Sequence, residues 1–105
     1  VCPVHDFLES LHTKMRAKVL RAVALLETIG PQLLEPYSKF IGDGIFEIRA
    51  KQSSNITRVL YFFYIGKRIV LTNGFIKKTQ KTPPEEIALA KKYRADYLER
   101  KEKIS

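Results

Sequence analysis

The sequence predicts an α+β fold in one domain: two helices, a three-stranded antiparallel meander and a closing helix. Three observations predict it. Apolar residues recur at helical spacing before residue 30; they alternate or run β-branched and aromatic between residues 45 and 75; and a Thr-Pro-Pro-Glu start signal at residue 82 opens a last helix.

Pro3 and Asp6 open a short helical segment with Val4, Phe7, Leu8 and Leu11 as its apolar positions, closing near His12 and Thr13. In the second helix Met15, Val19, Ala22, Val23, Leu26 and Ile29 form one stripe, with Lys14, Arg16, Lys18 and Arg21 largely opposite. Gly30 and Pro31 stop it. Residues 32–44 carry turn punctuation ending in Gly42-Asp43-Gly44. Ile45 to Lys51 then alternates, Phe46, Ile48 and Ala50 on one face and Glu47, Arg49 and Lys51 on the other. Thr57 to Ile65 reads as a central strand covered on both faces, and Arg68 to Phe75 as a third strand after a Gly66-Lys67 turn. At the last helix the spacing predicts a capping box: Thr82 at the N-cap, Pro83 at the first helical position and Glu85 three residues on. Ile87, Ala90, Tyr97 and Leu98 give it a weak apolar stripe, with fraying expected beyond Glu99.

Charge is distributed unevenly over this framework. Residues 45–82 hold eight basic residues (Arg49, Lys51, Arg58, Lys67, Arg68, Lys77, Lys78, Lys81) against one acid, Glu47, so +7 of the net +8 lies there. A cationic sheet is a surface for a polyanion such as RNA. The single cysteine, Cys2, gives neither a disulfide framework nor a paired metal-ligand set, and a reducing, cytoplasmic setting is the natural reading. No apolar run reaches the ~20 residues of a membrane span. No GxGxxG, P-loop, GxSxG or HExxH motif occurs. With Glu47 the one carboxylate in the sheet, no cofactor or metal is expected.

His5 and His12 read as surface or capping residues, far in sequence from the basic strands. Any catalysis would therefore use Arg, Lys, Tyr or Glu47. Such a set can cleave RNA, because the 2′-hydroxyl attacks its own phosphate and the chief demand is to stabilise charge on the phosphoryl oxygens. Arg suits this through its permanent charge and bidentate donors. On spacing alone, a solvated Glu47–Arg49 ion pair and a site weigh equally. Arg58 is more suggestive, since a charge opening a doubly covered strand must reach solvent, a partner or a ligand. Lys67 and Arg68 flank a turn and read as edge-protecting charges. Lys77 and Lys78 alternate, so only one shares a face with Arg49 or Arg58. Tyr61, Phe62, Phe63 and Tyr64 read as core, with at most one ring left for a base.

The runs Gly44-Ile45-Phe46-Glu47-Ile48-Arg49, Arg58-Val59-Leu60-Tyr61-Phe62, Gly74 to Pro83 (GFIKKTQKTP) and Glu86-Ile87-Ala88-Leu89-Ala90 resemble the phage-derived, HigB-like branch of the RelE/ParE toxin superfamily. The likeness runs from Cys2-Pro3-Val4 to the last helix, and FIKKTQKTP is its most specific part. It implies two N-terminal helices packed on a small antiparallel sheet with a C-terminal helix. It also implies a type II toxin of which the RelE and HigB branches cleave mRNA on the ribosome without a metal. The partners implied are a cognate antitoxin of helix-turn-helix type, mRNA and the ribosome. The first strand usual in the family is expected to lie outside the sequence given. Residue by residue, Arg49 matches the basic end of the ELR-like strand, Arg58 the Arg opening the RxxY-like strand, and Lys77 and Lys78 the basic residues after the last strand. Glu47 stands where other branches carry Lys. The expected roles are phosphate neutralisation by Arg49 and Arg58, charge stabilisation or proton delivery by Lys77 or Lys78, and orientation of Arg49 or base action by Glu47. A ParE-like gyrase inhibitor and a non-catalytic phage-derived binding module are the alternatives.

Overall fold

Both N-terminal helices form where the apolar spacing puts them. In a computed structural model, which describes residues 4–30, 32, 37–52, 55–77 and 81–104, α1 spans His5–Ser10 and α2 spans Thr13–Ile29. His12 is the α2 N-cap, its Nδ1 accepting from the Lys14 N–H at 3.4 Å, which fits the capping role expected for it. Met15, Val19, Ala22 and Leu26 are the stripe that α2 buries. Gly30 ends the helix at φ +89°, a conformation that suits glycine, and donates its N–H to the Leu26 carbonyl.

The sheet has four strands, β1 Ser38–Gly42, β2 Ile45–Gln52, β3 Asn55–Phe63 and β4 Ile69–Lys77, antiparallel in the order β1-β2-β3-β4. β1 corrects the reading of residues 32–44 as punctuation alone. It is an edge strand with Lys39 and Phe40 exposed, so side-chain alternation does not betray it and main-chain pairing with β2 holds it. The turn that follows was legible: Asp43 and Gly44 have φ of +51° and +78°, the two-residue hairpin with both central residues left-handed.

Helices cover both faces of the sheet. Ile48, Ala50, Val59, Tyr61 and Ile69 meet Val4 and the buried stripe of α2 on one face. On the other, Ile45, Leu60, Phe62 and Phe75 meet Ala90 and Tyr97 of the C-terminal helix α3, Pro84–Ile104. Close packing on the first face explains Gly74: a Cβ there would lie 2.4 Å from the Phe7 ring of α1. On the second face, Asn73 of β4 donates to the Glu86 carboxylate at 2.9 Å and to its carbonyl at 3.2 Å. Lys91 pairs with Asp43 at 2.7 Å, and Arg94 donates to the Asp43 carbonyl.

Two expectations about α3 need correction. The capping box does not form; Pro83 supplies the first helical carbonyl and Pro84 opens the helix. The helix also continues past Glu99 to Ile104, with Lys101 over the Tyr97 ring, 5.4 Å from its centroid. Among the described residues, no helix is long and apolar enough to cross a membrane.

Candidate functional site

Strand register assembles the basic residues on the α3 side of the sheet. Across β2 and β3, Glu47 lies opposite Leu60 and Arg49 opposite Arg58; across β1 and β2, Lys39 lies opposite Glu47. Alternation then puts Lys39, Glu47, Arg49, Lys51 and Arg58 on one face. Leu60, Phe62 and Phe75 fill the part of that face beneath α3. The charged residues occupy the neighbouring part, towards the β2–β3 connection.

At its centre Glu47 is fully buried. Its Oε1 accepts from Arg49 Nε at 2.7 Å, its Oε2 accepts from the Thr82 hydroxyl at 2.5 Å, and Arg58 Nη1 lies 3.9 Å from Oε2. Charge-assisted bonds of this kind are short and directional. The Arg58 side chain has no exposed surface, while that of Arg49 keeps 17% exposure. Burial draws the Arg58 guanidinium below its ordinary pKa; Glu47 opposes that shift and Arg49 adds to it. A guanidinium starts so far above neutrality that Arg58 stays charged at pH 7. Two arginines around one carboxylate leave one net positive charge, and Arg49 is the group that presents it to solvent.

Of the five residues singled out in the sequence, the fold therefore brings Glu47, Arg49 and Arg58 together. Lys77 pairs with Ile56 at the end of β4, two residues along β3 from Arg58. Its side chain, and all of Lys78, lie outside the described residues. Thr82 is the member that the sequence reading missed, having assigned it to the helix cap. Lys39 was missed with the strand that carries it. The aromatic rings of β3 and the residue after it are mostly committed to packing. Tyr61 and Phe62 are buried, and the Tyr61 hydroxyl meets Ser38 Oγ at 2.6 Å. Tyr64 packs edge-on against Tyr97.

Chemically, this arrangement can hold an anion against Arg49 with its guanidinium fixed in direction by Glu47. The Glu47 oxygens are occupied by Arg49 and Thr82, which suits the carboxylate to orienting its neighbour. A family model described as "Phage derived protein Gp49-like (DUF891)" matches residues 6–95, a span that includes all of these side chains. No curated protein matches the chain.

Proposed function

The chain belongs to the phage-derived Gp49-like family, a RelE/HigB-like toxin family, and from that premise we propose that it is the toxin of a type II toxin–antitoxin module that cleaves mRNA bound to the ribosome. The observation that supports RNA as the target is the oriented Arg49 guanidinium on a sheet face with Lys39, Lys51 and Arg58. The 2′-oxygen of one nucleotide attacks its 3′-phosphorus in line, the bond to the 5′-oxygen of the next nucleotide breaks, and the proton lost by the 2′-hydroxyl is balanced by one gained on the leaving oxygen. Arg49 binds the phosphoryl oxygens as negative charge builds on them. Glu47 holds Arg49 in place, Arg58 adds positive charge on the same face, and Lys77, at the end of β4, or Lys78 stabilises charge or delivers the proton. The reaction is metal-independent in this scheme, with Glu47 engaged by Arg49 and Thr82. The cell compartment is the cytoplasm, and the partners are the ribosome and an antitoxin of helix-turn-helix type.

Inducing the chain in bacteria and mapping transcript ends tests this. Growth arrest with new cleavage sites is expected, and Arg49→Ala abolishes both while remaining folded by circular dichroism. Intact transcripts in arrested cells, with gyrase recovered on the protein, would replace RNA cleavage by a ParE-like activity. The burial of Arg58 and Glu47 favours one further reading, a non-catalytic RNA-binding module. That reading gains if the chain binds RNA without arresting growth.

A further inference from the structure

We infer that Thr82 is a positioning residue for the arginine site, acting through Glu47; the inference rests on the RNA-cleavage reading for its kinetic consequence alone. Thr82 is 6% exposed and sits immediately before the turn into α3, yet its hydroxyl is spent on a strand residue 35 positions earlier in the chain. That bond occupies Glu47 Oε2. The other oxygen, Oε1, is left to face Arg49 Nε, and the two contacts together fix the plane of the carboxylate. A carboxylate held at both oxygens has one orientation to offer its arginine. One held at a single oxygen rotates about its terminal torsion, which is broad. Because Oε2 is also the oxygen nearest Arg58, loss of the hydroxyl lets Glu47 turn towards Arg58 and release Arg49. The penultimate residue of the FIKKTQKTP run is thereby tied to β2. Lys81, next to Thr82, is exposed.

The hydroxyl, not the bulk of the side chain, is the active feature, so Thr82→Val and Thr82→Ser separate the two. Two readouts apply to the purified chain. In cleavage of an mRNA held on purified ribosomes, Thr82→Val is expected to lower kcat about tenfold or more with KM changed far less, and Thr82→Ser to restore it, as for one hydrogen bond to a charged group. In NMR spectra of the arginine side chains, the Arg49 Nε–H signal is expected to be protected from exchange in the wild type and in Thr82→Ser, and exposed in Thr82→Val. An unchanged Arg49 signal and kcat in Thr82→Val overturns the inference, as does a Thr82→Ser variant as impaired as Thr82→Val. Should Thr82→Val fail to fold, Thr82→Ala is read in the same way. A wild-type chain that cuts no ribosome-bound mRNA counts against the proposed function, while the NMR comparison still decides the role of Thr82.

Discussion

At the scale of the residue, Glu47 decides how the basic face is built. Removing one partner from a buried ion pair leaves the other charge without compensation, which costs about 3–5 kcal/mol. Glu47→Ala is therefore expected to lower stability by about that amount in urea unfolding, more than Arg49→Ala, whose side chain retains contact with water. Arg58→Ala belongs with Glu47→Ala: at a side chain with no exposed surface, lost activity has to be read beside lost stability. The same variants show how far the site was legible in the chain. Glu47 and Arg49 stand two apart on an alternating strand, so spacing places them on one face and offers the pair as one reading; the full burial of Glu47 does not follow from it. Thr82 reaches Glu47 across 35 residues, and a Thr before two prolines gives a stronger local signal, that of a helix cap. Tyr61 adds a prediction in pH. Burial raises its pKa from 10.0, with the Ser38 hydrogen bond opposing. Its contribution to stability is complete below pH 10 and falls as pH rises from there through the folded-state value, because the unfolded chain ionises first. A Tyr61→Phe variant should show a shallower alkaline loss in thermal melts at pH 9 to 11.

At the scale of the element, periodicity revealed what is buried and missed what is held by backbone alone. α2 and β2 lie where their apolar patterns placed them, while β3 runs Asn55–Phe63 and not to Ile65, which is exposed in the following turn at φ +53°. β1 has exposed Lys39 and Phe40 in its centre, and its order comes from the ladder to β2 and the Ser38–Tyr61 hydrogen bond. The side on which α3 packs was equally hidden, since it depends on Leu60, Phe62 and Phe75 forming an apolar surface beside the charged one. Gly74 gives this scale its test. Any Cβ there meets the Phe7 ring at 2.4 Å, so Gly74→Ala must displace α1 or bend β4. Overpacking of this kind costs about 1–3 kcal/mol. The expected result is a lower Tm for Gly74→Ala, partly recovered by Phe7→Leu in the same chain. A Gly74→Ala melt at the wild-type temperature would show that α1 yields without cost.

At the scale of the whole molecule, five of the eight basic residues in 45–82 fall into two groups on different ends of the sheet. Arg49, Lys51 and Arg58 lie towards the β2–β3 connection, whereas Lys67 and Arg68 lie in the β3–β4 turn. From Arg58 to Phe63 at the end of β3 is about 17 Å at roughly 3.3 Å per residue, well beyond a Debye length of ~8 Å in physiological salt. Lys67 is also engaged locally, its Nζ donating to the Thr28 carbonyl at 3.1 Å at the end of α2. Net charge and charge placement consequently make different predictions. Arg49→Gln and Arg68→Gln each reduce the formal net charge from +8 to +7. If attraction for RNA came from overall charge, the two variants would weaken binding equally. If phosphates sit on the Glu47 face, Arg49→Gln removes a contact and reduces the slope of log K against log salt by about 0.7, the value for one phosphate of a single strand, while Arg68→Gln leaves the slope unchanged. Titrating single-stranded RNA into both variants between low and physiological salt measures the difference, and equal slopes would move the binding surface off this face of the sheet.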